Sequence, residues 1–177
     1  MVEIALISDT HVPDQIRQLP SRLVERLRDA DLILHAGDLV CLEVLKSLQG
    51  IARTIAVHGN MDEPVVRRHL PRRRLLTLAG KRVGLIHGNQ PPGLERQYLR
   101  PEYNYDSEPV AALYEYLLRE FPEAEIILFG HVHVPIAKHW EGRLLVNPGS
   151  IAPYHGRSSF AILKLEDSEA AVDVIDL

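Results

Sequence analysis

The chain has 177 residues, of which 46% are hydrophobic and 25% are charged, and its formal net charge is −4. This length can bury a sizeable core, so we expect a single domain over residues 1–177. A mildly acidic chain lacks the strongly basic surface with which proteins coat nucleic acid or an anionic membrane. Its one cysteine, Cys41, excludes an internal disulfide framework and a zinc site built on a CxxC pair.

The beginning of the chain shows no targeting pattern. Met1 is followed by Glu3 and then by Asp9, without a basic segment or the run of about 20 apolar residues that a membrane span needs. We therefore expect a cytoplasmic protein that does not contact a membrane.

Short apolar runs alternate with helical patterns along the chain. The runs are continuous, which is typical of central strands covered on both faces, and lie at Ile4–Ile7, Leu32–Leu34, Thr54–Val57, Val83–Ile86, Ile126–Phe129 and Leu144–Val146. Helical spacing of apolar residues is clearest from Pro109 to Phe121. Later turn sequences such as Glu141-Gly142 separate strand-like runs. This order predicts an α/β domain whose sheets mix parallel and antiparallel strands.

Polar side chains that can bind a metal follow five of the predicted strands. They are Asp9, His11, Asp38, Asn60, His87, His131 and His133. The ligand crevice of an open α/β sheet lies beyond the carboxyl ends of its strands, so we expect these side chains to converge. Carboxylate, imidazole and amide groups together suit a divalent metal ion.

The number of these side chains favours two ions. A catalytic zinc takes three protein ligands and water, which is fewer than the seven donors available here. Asp38 is central in the sequence order, and its carboxylate can serve both ions through its two oxygens. Two ions about 3.5–4 Å apart can clamp a phosphoryl group and bind a hydroxide between them.

Each of these residues also has an ordinary structural interpretation. A single Asp after a strand is usually a helix cap or a turn former, and a lone His is usually structural. We interpret His35, His69, His139 and His155 in that structural sense. The joint pattern at five strand ends favours the metal interpretation, and we attribute the neighbouring glycines at 37, 59, 88 and 130 to sharp turns of the backbone.

The ordered motifs resemble those of the calcineurin-like metallophosphoesterase superfamily. The matching blocks are Asp9-Thr10-His11, Gly37-Asp38, Gly59-Asn60, His87-Gly88 and Gly130-His131-Val132-His133. The short length and the segment Asn147-Pro148-Gly149-Ser150 resemble its small bacterial and archaeal phosphodiesterase branch. The resemblance implies an α/β fold in which two mixed β-sheets pack as a sandwich flanked by helices. It also implies one ion on Asp9, His11, Asp38 and His133, and a second on Asp38, Asn60, His87 and His131.

These observations lead to the hypothesis of a dinuclear metal-dependent phosphodiesterase. It would hydrolyse a small phosphate ester with a metal-bridging hydroxide. Manganese is favoured, and nickel, cobalt, iron or zinc also suit the mixed ligands. Met61 stands where many superfamily members carry a histidine thought to protonate the leaving oxygen or bind phosphate, and a thioether cannot donate a proton. Asp62 is a candidate for orienting a neighbouring group or a metal-bound water, and an ordinary turn role is the equal alternative. His58 and Asn60 are candidates for contacts with the substrate, although packing at the strand end is the favoured interpretation of His58.

The segment Asn89–Asp106 is long for a loop and leaves the site directly after His87. One interpretation is a lid that contacts the substrate through Arg100 and Tyr103. The other is a surface loop or a contact between subunits, so the sequence leaves a homo-oligomer open.

Two other functions compete with this hypothesis. The superfamily includes a retromer scaffold subunit that uses the site for protein binding, but a scaffold should tolerate the loss of ligands and all seven positions are intact. A nuclease would require the arginine run Arg67, Arg68, Arg72, Arg73 and Arg74 to bind polymers. Such a run is usually a solvated face, and no aromatic residues interleave with it, so nucleic-acid binding is disfavoured.

Overall fold

The computed structural model describes residues 1–90, 93, 95, 108–166 and 169–177. In these residues ten strands and four helices follow one another in the order β1 (Val2–Ile7), α1 (Ser21–Leu27), β2 (Leu32–His35), α2 (Leu42–Gln49), β3 (Thr54–Ala56), α3 (Pro64–His69), β4 (Arg73–Leu78), β5 (Lys81–Ile86), α4 (Glu108–Glu120), β6 (Ile126–Leu128), β7 (Pro135–Trp140), β8 (Arg143–Pro148), β9 (Ser159–Glu166) and β10 (Glu169–Asp176). Strand–helix alternation therefore occupies the first part of the chain and hairpins the last part, as the sequence predicts.

The strands form two mixed sheets of five strands each. The first has the order β10-β9-β1-β2-β3, with β1, β2 and β3 parallel and with β9 and β10 antiparallel to their neighbours. The second has the order β4-β5-β6-β8-β7, with β5, β6 and β8 parallel and with β4 and β7 antiparallel. Helices flank this pair of sheets, so the expected fold class is confirmed.

The central core lies between the two sheets. Ile4 and Leu6 of β1 pack there with Leu34 of β2 and with Leu85 and Leu128 of the second sheet. The intervening residues of β1 point to the opposite face, where α1, α2 and α3 cover the first sheet. The outer face of the second sheet is covered by α4. Both faces of the central strands are thus buried, which explains why their sequences are continuously apolar.

The carboxyl ends of five strands meet at one end of the sandwich. In the first sheet the Asp9 N–H donates to the Gly37 carbonyl at 3.0 Å, which joins the ends of β1 and β2. In the second sheet the Gly130 N–H donates to the His87 carbonyl at 3.0 Å, which joins the ends of β5 and β6. The His131 N–H donates to Asp9 Oδ2 at 3.0 Å and links the two sheets. The strand ends therefore converge across two sheets rather than along a single sheet.

The four helices of the described residues are short, from the six residues of α3 to the 13 of α4. Pro64 opens α3, where its missing N–H costs no bond within the helix. Within the described ranges, every helix is too short or too polar to cross a membrane.

The substitution Leu34→Ala tests the contact between the two sheets. Leu34 has 0% exposure, so its truncation should leave a cavity and lower the free energy of unfolding by about 2–5 kcal/mol. Urea denaturation followed by circular dichroism measures this loss. Leu75→Ala, at a side chain with 42% exposure, is the matched control and should cost less than about 1 kcal/mol. Equal losses in the two variants would contradict this placement of the core.

Candidate metal centre

One group of donor atoms brings together β1 and the loop after β6. His133 Nε2 lies 3.1 Å from Asp9 Oδ1, and His11 Nε2 lies 3.7 Å from the same oxygen. The two imidazole nitrogens are 3.5 Å apart. Ligand atoms that share one ion at about 2.0–2.2 Å are separated by roughly 3–3.5 Å, so this triangle has nearly the size of a metal site. We call Asp9, His11 and His133 the first cluster.

A second group of donor atoms lies beside it. His87 Nε2 is 3.2 Å from Asp38 Oδ2, 3.1 Å from Asn60 Oδ1 and 4.0 Å from Asp9 Oδ1. The His131 ring is next to it, with its centroid 5.0 Å from that of His87. We call Asp38, Asn60, His87 and His131 the second cluster.

The two clusters meet at two carboxylate oxygens. Asp38 Oδ2 is 3.2 Å from His87 Nε2 and 3.9 Å from His11 Nε2. The other oxygen of Asp38 accepts a hydrogen bond from the Met61 N–H at 2.8 Å, so a single oxygen of this side chain faces both clusters. Among the described residues, Asp9 belongs to both of the three-residue groups that could hold an ion, one with His11 and His133 and one with Asp38 and His87. The two-oxygen bridge expected for Asp38 is thus not the arrangement seen in the structure.

The donors fit a cation because some of them are buried without a partner. Asp9 Oδ1 and His131 Nε2 have no hydrogen-bond partner among the described residues. Glu95 Oε1 lies 3.0 Å from His131 Nε2 but outside hydrogen-bonding geometry, and the sequence motifs did not point to this acid. A buried carboxylate oxygen without a partner is costly, and a bound cation would remove that cost.

The charge state of the donors follows from their burial and from one another. Burial opposes ionisation of Asp9, but the nearby imidazoles of His133 and His87 outweigh it and hold the pKa of this carboxyl well below its usual value. Burial also opposes ionisation of Asp38, and the charge of His87 still lowers its pKa. Burial disfavours the imidazolium of His87, yet the charges of Asp38 and Asp9 raise its pKa to about 9. Burial lowers the pKa of His11, which favours its neutral, ligating form.

Hydrogen bonds behind the donors fix their orientation. The Nδ1–H of His87 donates to the carbonyl of Ala36 at 2.8 Å, which leaves Nε2 to face the site. Asp9 Oδ2 accepts hydrogen bonds from the Ser8 hydroxyl at 2.6 Å and from the His131 N–H at 3.0 Å, which leaves Oδ1 to face the site. Oriented donors of this kind are typical of protein metal sites.

Both clusters open into a cavity of about 370 Å³. Five candidate ligands and four other side chains line it. The ligands are His11, Asp38, Asn60, His131 and His133, and the other side chains are Gln15, Met61, Val132 and Tyr154. His58 is not among these lining residues, and its Nδ1 lies 3.3 Å from the Gly59 carbonyl. Arg100 and Tyr103 lie outside the described residues, as does most of the segment 89–106. A larger cavity of about 670 Å³ beside α1 and α2 contains none of the candidate ligands.

Comparison with known proteins identifies the family. The family model of the calcineurin-like phosphoesterase superfamily domain matches residues 2–168. The chain belongs to this superfamily. A probable metallophosphoesterase of Methanothermobacter thermautotrophicus is 35% identical over 177 residues, which cover 97% of this chain and 91% of the relative. The superfamily is metal-dependent, in agreement with a site built from Asp and His residues.

Two solved structures show the same fold at lower identity. Vps29 of Entamoeba histolytica in complex with Zn²⁺ is 22% identical, with a TM-score of 0.72 and 99% of each chain covered. A novel archaeal phosphodiesterase is 20% identical, with a TM-score of 0.68, and 98% of this chain and 100% of that chain are covered. At these identities the likeness is one of fold.

Asp62 is buried and joins the loops that follow β2 and β3. Its Oδ2 accepts hydrogen bonds from the Gly59 N–H at 2.6 Å and the Asp38 N–H at 3.2 Å, and its Oδ1 accepts one from the Val40 N–H at 2.6 Å. Arg67 in turn donates to the carbonyl of Asp62 at 2.7 Å. The orienting role considered for Asp62 in the sequence thus has a geometric basis in these contacts.

The arginine run is not simply a solvated face. Arg67 donates to the carbonyl of Asn60 at 2.5 Å and so holds the loop that carries a candidate ligand. Arg72 donates to Glu120 at 2.6 Å, Arg73 contacts the same helix end, and Arg74 donates to the Ala56 carbonyl at 3.3 Å. These contacts link α3 to the loop after β3, and the start of β4 to α4 and β3, a tertiary role that local sequence composition does not reveal.

His35 is a structural histidine, but it is tied to the metal centre. Its Nδ1 accepts a hydrogen bond from the Gly37 N–H at 3.1 Å, so Nε2 carries the proton and faces Thr10 Oγ1 at 3.2 Å. Thr10 in turn donates to the Asp38 carbonyl at 3.3 Å. Burial lowers the pKa of His35 to about 3, so this link is uncharged at neutral pH.

Most of the candidate ligands have unusual backbone conformations. Asp9, His11, Asp38, His131 and His133 have positive φ angles between 46° and 71°. This left-handed region is uncommon outside glycine, although Asp and His enter it more readily than most residues. Such conformations cluster at functional sites, where the surrounding structure enforces them.

Two of the glycines are needed for close approach rather than for a turn. A Cβ on Gly59 would lie 2.1 Å from Asp38 Oδ1, and a Cβ on Gly130 would lie 1.9 Å from Ser8 Oγ. Gly37 does have a positive φ of 100°, as a sharp turn requires. The sequence-based explanation by turns is therefore wrong for Gly59 and Gly130, where the side chains of neighbouring loops occupy the space.

The substitution Gly59→Ala should damage the metal centre selectively. Its methyl group collides with Asp38, so we expect manganese affinity to fall at least about tenfold, as when partners of a metal ligand are lost. Isothermal titration calorimetry measures this affinity. Gly50→Ala is the matched control, because its Cβ meets no atom closer than 3.4 Å. Unchanged manganese affinity in Gly59→Ala would contradict the packing described for this loop.

The buried neutral His35 should make stability depend on pH. Because its pKa of about 3 in the folded state lies below the ordinary 6.5, the unfolded chain takes up a proton that the folded protein excludes. This contribution to stability is present above about pH 6.5 and declines as the pH falls toward 3. Urea denaturation of metal-free protein between about pH 4 and 7 should therefore show a shallower pH dependence for His35→Gln than for the wild type.

His139→Gln serves as the control for that experiment, since His139 is exposed on β7. It should keep the pH dependence of the wild type. The same slope in wild type and His35→Gln would show that His35 does not carry the expected effect.

Proposed function

We propose that this chain is a dinuclear metal-dependent phosphodiesterase that acts on a small phosphate ester. The observation that carries the proposal is the pair of adjacent clusters that meet at Asp38 Oδ2 and Asp9 Oδ1. A single ion would leave several of the converging donors without a role. Two adjacent clusters of oxygen and imidazole ligands suit two divalent ions, with manganese favoured among the candidates.

The donors divide between the ions according to the two clusters. Asp9, His11, His133 and Asp38 would hold one ion, and Asp38, Asn60, His87 and His131 would hold the other. When bound, such ions neutralise phosphoryl oxygens and lower the pKa of a water molecule to give a nucleophile near neutral pH. Asp62 and Arg67 keep the loop of Asn60 in place, and His35 supports the loop of Asp38 through Thr10.

The side chains around the cavity limit the esters that can react. Met61 lines the cavity, and its thioether cannot protonate a leaving oxygen. A positioned acid is typically worth about 10²–10⁴-fold, so esters whose leaving group departs without a proton should be favoured. The cavity also has uncharged walls at Met61 and at Tyr154, which suit the organic part of a phosphate ester.

Protein binding without catalysis is the alternative expected from the scaffold members of this fold. The likeness to Vps29 concerns the fold alone, and all seven candidate ligands are present in this chain. The two functions differ in what the ligands are for, since a scaffold has no need of turnover. Metal-dependent hydrolysis therefore decides between them.

The substitution Asp38→Asn tests the proposed function. It keeps the shape of the side chain but removes the charge that faces both clusters, so hydrolysis of bis(4-nitrophenyl) phosphate by manganese-loaded protein should fall by at least about 100-fold. The bound manganese, measured by mass spectrometry of the purified protein, should fall with it. Asp173→Asn on β10 is the control, because this carboxylate is exposed and pairs with Lys164. Wild-type hydrolysis in Asp38→Asn, or its complete absence in the wild type with every metal, would refute the proposal.

A further inference from the structure

Two large exposed apolar side chains border the cavity of the metal centre. Met61 is 52% exposed and Tyr154 is 37% exposed, and both line the same cavity as His11, Asp38 and His133. Exposed apolar residues scattered singly over a surface are ordinary. Two of them beside one concave polar site resemble instead the apolar walls that orient an organic ligand.

Tyr154 stands on a rigid turn. Residues 154–157 exchange two backbone hydrogen bonds, from the Tyr154 N–H to the Arg157 carbonyl at 2.8 Å and back at 3.0 Å. His155 and Gly156 between them have φ angles of 49° and 76°, as in the two-residue turns that join hairpins. The chain therefore holds the Cα of Tyr154 at a defined place on the rim.

The ring of Tyr154 is held by its neighbours as well. Its centroid lies 5.0 Å from that of His133, with the two planes at 90°, and 4.4 Å from that of His155. Edge-to-face contacts of this kind orient an aromatic ring. The ring is thus fixed beside a candidate metal ligand while more than a third of the residue's surface remains open.

The backbone of Met61 is anchored to Asp38. Its N–H donates to Asp38 Oδ1 at 2.8 Å, so its backbone is tied to the carboxylate that faces both clusters. Its side chain is free of that bond and projects a polarisable thioether, which packs well against aromatic rings. Val132, with 4% exposure between His131 and His133, adds an apolar surface to the same cavity.

We propose that Met61 and Tyr154 form a binding wall for a planar aromatic group of the substrate, so that the preferred substrates are phosphodiesters with an aromatic or heteroaromatic substituent. This inference rests on the proposed function, because it places the phosphoryl group at the two clusters. Tyr154 offers a ring and Met61 a thioether, and both suit a flat, uncharged group. The two side chains would act as specificity-determining residues.

The test compares phenylphosphonate with methylphosphonate, which carry the same charged group but differ in the organic substituent. Calorimetry on the manganese-loaded wild type should show about tenfold tighter binding of phenylphosphonate, as expected for burial of one ring. Tyr154→Ala and Met61→Ala should each reduce this preference severalfold while the affinity for methylphosphonate stays the same. Tyr154→Phe should keep the preference, and Val174→Ala, at an exposed residue of β10, is the control.

Three results would overturn the binding wall. The first is equal affinity of the wild type for both phosphonates, and the second is an unchanged preference in both alanine variants. The third is an equal loss of affinity for both phosphonates in Tyr154→Ala, which would mean that Tyr154 only supports His133. None of these results removes metal-dependent hydrolysis of bis(4-nitrophenyl) phosphate. The failure of the wall and the failure of the proposed function are therefore separate outcomes.

Discussion

The site depends on one buried carboxylate that the two sheets share. Asp9 is fully buried, and its Oδ2 is bound by Ser8 beside it and by the backbone N–H of His131 from the other sheet. Its Oδ1 faces both clusters and has no hydrogen-bond partner among the described residues. A buried carboxylate is stable only when positive charge or hydrogen bonds compensate it. The contact that closes the end of the sandwich thus also creates the demand for a cation there.

A second buried acid has a different task, because its surroundings differ. Asp62 accepts hydrogen bonds from three backbone N–H groups, at Asp38, Val40 and Gly59. It therefore joins the loops after β2 and β3 and does not face the cavity. Most of the candidate ligands occupy left-handed backbone conformations, which persist where neighbouring contacts enforce them. The apolar strands supply a rigid base, and buried polar contacts hold the loops in conformations suited to the ligands.

Family membership and function rest on different observations in this protein. The fold is shared with Vps29 and with an archaeal phosphodiesterase, so the fold by itself does not decide between binding and catalysis. The proposed activity depends on the two clusters, and the proposed substrate class depends on Met61 and Tyr154 at their edge. Met61 directly follows the candidate ligand Asn60, and Tyr154 lies on a separate turn, yet each can be changed without replacing a candidate ligand.

The sequence by itself determined the family, the two mixed sheets and the strand ends that carry polar side chains, because these follow from local apolar runs and short ordered motifs. The assignment of seven metal ligands stays a prediction, although their side chains lie together around one cavity. Only the tertiary structure decided that Asp38 faces both clusters with one oxygen, that Gly59 leaves room for Asp38, and that Arg67 holds the Asn60 loop. The physical reason is that these are contacts between segments far apart in the chain. Local patterns carry no information about which atoms of such segments meet.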